Sequence, residues 1–267
     1  PEVQPVALAN PISADMAVMR TSLLPGLLTA VMRNTNRQQP RVRLFETGLR
    51  FVPAEQGLQQ IPTLAMVVTG QRLAESWSVA GEGVDFFDLK GDVESLFALT
   101  RDGNKVQFQP GERPALHPGQ TAAITRNGQQ VGYLGALHPS VRAELGLGAP
   151  LYACEIDLQA VLEAVLPTFT ELSRFPEVRR DLAVVVDKSV PSAELLAIVR
   201  QVAGSYLRDL RLFDVYEGKG IDPKRKSLAL GLTFRHQTRT LSDEDVNLAM
   251  DQVIDSLEKN YKAELRN

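Results

Sequence analysis

The sequence predicts an α+β protein built on antiparallel sheets. Short segments alternate between apolar and polar residues and are separated by turns, of which Asn127-Gly128 is the tightest. Two longer segments, 24–32 and 86–99, carry apolar residues at helical spacing. The last third of the chain has the predicted order strand, helix, strand, strand, helix, strand. Together these observations favour antiparallel sheets with helices packed against them.

Composition places the chain among globular proteins. Its 267 residues, 44% hydrophobic and 23% charged, suffice for one large or two smaller domains. No apolar run approaches the ~20 residues of a membrane span, and the first residues lack a signal-peptide pattern, so we expect a cytoplasmic protein without a membrane partner. Cys154 is the single cysteine, which excludes an internal disulfide. His117, His138 and His236 lie far apart, so we predict no metal site and no catalytic histidine.

Residues 1–167 are predicted to form the first domain, truncated at its amino terminus because residues 1–12 show no periodicity. Further predicted elements are strands at Val42–Val52, Leu64–Thr69, Val106–Gln109, Thr121–Arg126, Val131–Leu137 and Leu151–Leu158, and a helix at Phe86–Leu99. The apolar stripe of the first helix includes Leu24, Leu27 and Leu28. This stripe fits either the core of the domain or an interface with another chain.

Residues 172–267 are predicted to form a second domain after a proline-containing connector. Its predicted elements are a strand at Asp181–Asp187, a helix opening at Pro191-Ser192, a hairpin within Arg211–His236, a helix capped by Ser242 and a strand at Tyr261–Arg266. The order βαββαβ is that of a ferredoxin-like fold, in which both helices cover one face of a four-stranded sheet. The other face is expected to stay open.

The hairpin of this domain carries the candidate site. Strict alternation puts Phe213 and Val215 on one face of its first strand and Leu212, Asp214 and Tyr216 on the other. On the second strand the core face takes Leu228, Leu230, Leu232 and Phe234, and the outward face takes Ser227, Ala229, Gly231, Thr233 and Arg235. A carboxylate, an aromatic ring and an arginine beside small residues are typical of a single-stranded nucleic-acid site. The alternative is an ordinary solvated sheet face.

Charge is unevenly distributed along the chain. The net charge of −3 argues against indiscriminate binding of polyanions, and we expect no DNA partner. Within Tyr206–Thr240, however, the sequence has eight basic and four acidic residues, so nucleic-acid contacts are expected there. The candidate phosphate contacts are Lys219, Lys224, Arg225, Lys226 and Arg235.

Several sequence blocks carry a family resemblance. They are RFPEVRRDLAVVVD (Arg174–Asp187), LFDVYEG (Leu212–Gly218), KSLALGLTFRH (Lys226–His236) and TLSDEDV (Thr240–Val246). In this order they resemble the ferredoxin-like anticodon-binding domain that ends the beta subunit of bacterial phenylalanyl-tRNA synthetase. NPISADMAVMRTSLLPGLL (Asn10–Leu28) and RLFETGLRF (Arg43–Phe51) are similar to the catalytic-like module of the same subunit, which has a class II synthetase fold. The resemblance implies the carboxy-terminal portion of that subunit.

The resemblance also implies roles and partners. Tyr216 would stack on the guanine at the first anticodon position, Asp214 would bond its edge, and Ser227 and Ala183 would lie alongside. The implied partners are tRNA(Phe) and a catalytic alpha subunit, in a heterotetramer of two alpha and two beta chains. ATP and magnesium would serve the complete enzyme, with no cofactor in this chain.

The residues themselves argue against catalysis by this chain. A class II active site needs an Arg-x-Glu pair after the strand of its second motif, whereas here Arg50-Phe51 runs into Val52-Pro53. Without cations for the triphosphate, little would stabilise adenylate formation. Two other functions remain open at this point: an amino-acid-sensing regulatory module, whose usual glycine is missing from VDKSVPSAEL (186–195), and a structural subunit whose open sheet binds protein.

Overall fold

The computed structural model describes residues 4–55, 57–78, 81–100, 105–169 and 171–266. The chain divides into two compact units, Pro1–Thr168 and Phe169–Asn267. Each unit combines helices with an antiparallel sheet, which confirms the predicted α+β class. No helix within the described ranges is long and apolar enough to cross a lipid bilayer.

The first unit is built on a six-stranded sheet. Its elements are α1 (Leu24–Thr35), β1 (Arg41–Ala54), β2 (Gly57–Gly70), α2 (Phe86–Leu99), β3 (Val106–Pro110), β4 (Leu116–Arg126), β5 (Gln129–Leu137), α3 (Pro139–Glu144), β6 (Leu151–Asp157) and α4 (Leu158–Leu162). The strand order is β1-β2-β6-β5-β4-β3, and every neighbouring pair is antiparallel. The helices and strands predicted for this part are all present. Strand β2 begins earlier than expected, at Gly57, because it pairs with β1 along the whole length of both strands.

Helices α1 and α2 cover opposite faces of this sheet. Successive residues of a strand point to opposite faces, and the neighbours Val67 and Val68 accordingly belong to different core clusters. The cluster that contains Val67 also contains the buried residues of α1, which are Leu24, Leu27 and Val31. The cluster that contains Val68 also contains those of α2, which are Leu89, Val93 and Phe97. The apolar stripe of α1 is therefore part of the core of the unit rather than an exposed interface.

The two histidines of the first unit stabilise local turns. The Nδ1 atom of His117 accepts the backbone N–H of Gly119 at 3.0 Å, and that of His138 accepts the N–H of Ser140 at 3.2 Å at the start of α3. Both rings thus take part in the hydrogen bonding of these turns. In the described part of the chain, no three side chains of His, Cys, Asp or Glu come together in a way that could hold a metal ion.

The second unit has the predicted βαββαβ order. Its elements are β7 (Val178–Asp187), α5 (Ser192–Val202), β8 (Leu207–Tyr216), β9 (Arg225–Phe234), α6 (Asp243–Tyr261) and β10 (Glu264–Leu265). The sheet order is β10-β7-β9-β8, and α5 and α6 share one core cluster with the inward residues of β7, β8 and β9. The last strand is shorter than expected because α6 continues to Tyr261, after which Lys262 takes a left-handed conformation with φ 49°.

Strand β8 departs from the strict alternation predicted for it. Leu212 lies opposite Leu230 but Asp214 lies opposite Ala229, so β8 has one residue more than β9 between these pairs, which is a β-bulge. Because of the extra residue, the residues of β8 that precede the bulge point to the face opposite to the one predicted from strict alternation. Leu212 packs against the core, and Phe213, which the alternation assigned to the core face, is 54% exposed. The predicted grouping of Leu212 with Asp214 is therefore wrong, as is the core position of Phe213.

Asp245 caps the start of α6 together with Ser242. It exchanges hydrogen bonds with Ser242, whose backbone N–H lies 2.9 Å from Asp245 Oδ2, and it pairs with Arg239. Arg239, with a smaller contribution from Ser242, holds the pKa of Asp245 well below its usual range. A depressed folded-state pKa gives stability that is present above the unfolded pKa of about 4 and is lost as the pH falls through the folded value.

Asp245→Ala is expected to lower the Tm of the second unit at pH 7, and the difference from the wild type should narrow below about pH 4. Circular dichroism of thermal unfolding between pH 3 and 7 measures both effects. Asp243→Ala is the matched control because Asp243, in the same first turn, pairs with Arg180 but does not take part in the capping exchange. Equal losses of Tm in the two variants would contradict the capping role.

Candidate nucleic-acid interface

The sheet of the second unit has one face that is not covered by α5 or α6, and we call it the open face. Strand pairing places Ala183, Ala229 and Asp214 opposite one another in a row across β7, β9 and β8. In the adjacent row, Ser227 lies opposite Tyr216. Because paired residues of antiparallel strands point to the same face, the structure brings the four predicted site residues together in two neighbouring rows.

Asp214 offers its carboxylate to a ligand. The residue is exposed, and no hydrogen bond or ion pair engages it within the described ranges of the chain. Its row neighbours Ala183 and Ala229 carry only methyl groups, so the space beside the carboxylate is not filled by a long side chain. An ionised carboxylate accepts hydrogen bonds and cannot donate them. Asp214 therefore suits a ligand that presents N–H groups.

Tyr216 is held in place on several sides. Its hydroxyl donates to the backbone carbonyl of Lys219 at 3.1 Å, and its ring packs on Gly218, where an added Cβ would lie 2.5 Å from the hydroxyl oxygen. The guanidinium carbon of Arg266 lies 4.8 Å from the ring centroid. The ring is thus partly covered, and a flat ligand would stack on the area that Arg266 leaves free or displace Arg266.

Ser227 has the predicted direction but not the predicted accessibility. It lies on the open face opposite Tyr216, yet only 3% of it is exposed. A ligand would contact Ser227 only after a shift of its neighbours. Ala183, by contrast, is partly accessible and lies two residues along β7 from Asp181, which pairs with Gly231.

The predicted phosphate-binding cations fall into two groups. Arg225 pairs with Glu264 and donates to the carbonyl of Val185, so it holds strands together. Arg235 pairs with Glu177 at 2.8 Å, and the Nζ of Lys226 donates to the carbonyl of Lys188 at 3.0 Å. The side chains of Lys219 and Lys224 are exposed and have no ion pair among the described residues. These two lysines are the cations of this set that are free to meet a phosphate.

Three further side chains of the open face were missed in the sequence. Arg179 lies four residues before Ala183 on β7, so alternation along the strand places both on the same face and could have identified Arg179. Phe213 reaches the open face through the bulge, and Arg266 reaches Tyr216 from beyond β10, so neither had a local signal. All three add aromatic or cationic groups to the open face.

Comparison with known families assigns both units. The family model described as the phenylalanyl tRNA synthetase beta chain CLM domain matches residues 1–158, and that of the ferredoxin-fold anticodon binding domain matches residues 173–266. The ferredoxin-like second unit and these matches define the class of the chain, an aminoacyl-tRNA synthetase component. The chain belongs to the phenylalanyl-tRNA synthetase beta chain family.

Similar proteins extend over the whole chain. Proteins named phenylalanine–tRNA ligase beta subunit are 56% identical in Pseudomonas fluorescens and 54% identical in Pseudomonas putida, over 266 residues each. A Haemophilus influenzae protein of that name is 48% identical over 269 residues. Each match covers 100% of this chain and 34% of the relative, so the chain spans about a third of the length of these relatives. A solved pyrrolysyl tRNA synthetase of Desulfitobacterium hafniense shares 13% identity with a TM-score of 0.40, over 57% of this chain and 51% of that one.

Proposed function

We propose that this chain is the carboxy-terminal part of the beta subunit of phenylalanine–tRNA ligase and that its second unit binds the anticodon region of tRNA(Phe). The observation that carries this proposal is the exposed carboxylate of Asp214, without a partner among the described residues, beside the ring of Tyr216 on an uncovered sheet face. Single-stranded bases are recognised by aromatic stacking together with hydrogen bonds to their edges. Tyr216 supplies the first kind of contact and Asp214 the second.

For the first unit we propose assembly with the catalytic alpha subunit, in a complex of two alpha and two beta chains in the cytoplasm. Phe45 on β1 and Phe87 on α2 support an assembly role, because they are 74% and 72% exposed. Both rings are therefore available for contact with a partner chain. ATP and magnesium would act in the complete enzyme, at the active site of the alpha subunit.

Filter binding with the purified chain tests the tRNA proposal. We expect saturable binding of tRNA that carries the phenylalanine anticodon, weakening as salt is raised because phosphate contacts release counterions. The matched control is the same tRNA with an altered anticodon, which should bind more weakly. Binding of free phenylalanine without binding of tRNA would contradict the proposal and favour an amino-acid-sensing module. Binding of neither would favour a structural role.

The purified chain, without alpha subunit, is expected to show no phenylalanine-dependent pyrophosphate exchange. Arg50, an arginine within the second-motif-like strand β1, already pairs with Asp157 at 2.6 Å and donates to the hydroxyl of Thr63 at 3.2 Å. It therefore has a structural partner where a catalytic arginine would need to hold a triphosphate. The complex reconstituted with alpha subunit is the positive control. Exchange by the chain alone would show that this view of the first unit is wrong.

A further inference from the structure

Phe213 presents an aromatic ring on the open face at a second place, away from Tyr216. The bulge in β8 turns this residue out of the core, and 54% of it is exposed. The guanidinium carbon of Arg179 lies 5.7 Å from the centroid of its ring. Arg179 is paired with Thr233, whose neighbour Phe234 is fully buried, so both Arg179 and Thr233 point to the open face. The contact with Arg179 thus places the Phe213 ring on that face.

Arg179 makes further contacts on the open face beside the ring. Its Nε donates to the carboxylate of Asp181 at 2.9 Å. Its Nη2 occupies the space above Gly231, since a Cβ added there would lie 3.0 Å from that atom. A side chain at position 231 would therefore compete with the guanidinium for this space. The guanidinium of Arg179, bonded to Asp181 and lying above Gly231, is thus a flat cation over an exposed aromatic ring.

We propose that Phe213 and Arg179 form a second base-binding position, for a nucleobase of single-stranded RNA other than the one that stacks on Tyr216. This inference rests on the proposed tRNA-binding function. Aromatic rings and guanidinium planes are the two kinds of surface on which unstacked RNA bases are bound. An isolated exposed phenylalanine would need no explanation. Phe213 instead lies beside a guanidinium and on the same face as a second aromatic ring, which fits the binding of more than one base.

The spacing of the two rings indicates how the RNA lies. Phe213 and Tyr216 are three residues apart, about 10 Å at ~3.3 Å per residue and less across the bulge. Neighbouring bases of a duplex strand are about 3.4 Å apart. The two rings would therefore receive bases that are splayed apart, as in a loop, and not bases stacked on each other. Because Asp181 is already paired with Arg179, stacking at Phe213 is expected to add affinity with little preference for one base.

Binding of tRNA with the phenylalanine anticodon to the purified chain tests this second position. Phe213→Ala should weaken binding about 5- to 150-fold, the range expected for loss of one stacked base. Phe213→Tyr keeps the ring and should restore most of the affinity. Val215→Ala is the matched control, because Val215 is on the same strand and 51% exposed but lies opposite the core residue Leu228; it should bind like the wild type.

A series of tRNAs with one abasic nucleotide at each anticodon-loop position separates the two stacking positions. Phe213→Ala should cause no further loss of affinity for the tRNA that is abasic at one particular position. Tyr216→Ala should cause no further loss for the tRNA that is abasic at a different position. If Phe213→Ala binds like the wild type while Tyr216→Ala weakens binding, the second position is overturned and the proposed function stands. The second position is also overturned if Phe213→Ala weakens the binding of every abasic tRNA, or if its effect disappears at the same nucleotide as the effect of Tyr216→Ala. If the wild-type chain binds no tRNA, both proposals fail together.

Discussion

Asp214→Asn is expected to reduce the preference for guanine over adenine at the first anticodon position by about tenfold or more. The Watson-Crick edge of guanine presents two adjacent donors, N1–H and the N2 amino group, whereas adenine presents an acceptor at N1. In the proposed function, the carboxylate of Asp214 would accept from these two donors and would repel the lone pair of adenine N1. Hydrogen bonds to a charged group contribute about 1.5 to 3 kcal/mol, and 1.4 kcal/mol is a factor of ten. An asparagine presents one acceptor and one donor, so it distinguishes the two bases poorly.

The measurement is a comparison of two tRNAs that differ only at this base, with each protein variant. Asp209→Asn is the matched control, because it removes a carboxylate from the same strand that is already paired with Arg211. Both substitutions reduce the negative charge of the open face, so any general gain in tRNA affinity should be similar. An unchanged guanine preference in Asp214→Asn would mean that Asp214 is an ordinary solvated carboxylate.

The ring of Tyr216 should contribute affinity to both tRNAs. Tyr216→Ala is expected to weaken them by similar factors, since stacking of about 1 to 3 kcal/mol depends little on the base. Tyr216→Phe, which keeps the ring and loses only the bond to the Lys219 carbonyl, should retain most of the affinity. The ratio of effects on the two tRNAs thus separates stacking from recognition of the base edge.

Glu155→Ala is expected to destabilise the first unit by about 3 kcal/mol or more. This residue is 5% exposed and its carboxylate accepts from Leu23 N–H at 2.8 Å, Ser22 hydroxyl at 3.0 Å and Tyr133 hydroxyl at 2.7 Å. Each buried donor left without an acceptor costs about 1 to 3 kcal/mol. Burial and the nearby Glu155 raise the pKa of Tyr133 above its ordinary value, so its hydroxyl remains a protonated donor near neutral pH.

Amide hydrogen exchange of β5 and β6, measured by mass spectrometry, reports on this loss within the first unit alone. Glu94→Ala is the matched control. Glu94 lies on α2 of the same unit and, among the described residues, makes only a solvent-exposed pair with Lys90, so its loss should change exchange little. Glu155→Gln keeps an acceptor and should have an intermediate effect. Wild-type exchange in Glu155→Ala would show that the three donors find other partners.

The sequence alone determined the elements of the fold and half of the candidate site. Helix starts such as Ser242 and the apolar stripe of α6 are local features, because capping and helical periodicity involve residues three or four positions apart. Asp214 and Tyr216 lie two residues apart on one strand, on the same side of the bulge, so their common face followed from alternation. The order of the elements then selected the ferredoxin-like arrangement and its open face.

Only the tertiary structure decided which groups meet across the chain. The bulge at Phe213 depends on how β8 pairs with β9, because an extra residue shows only against a partner strand. The cover of Arg266 over Tyr216 and the burial of Ser227 depend on side chains from separate strands. Glu155 binds residues more than 130 positions away, and sequence periodicity has no signal at that range. Packing of distant strands and side chains, which local propensity does not contain, fixed all of these contacts.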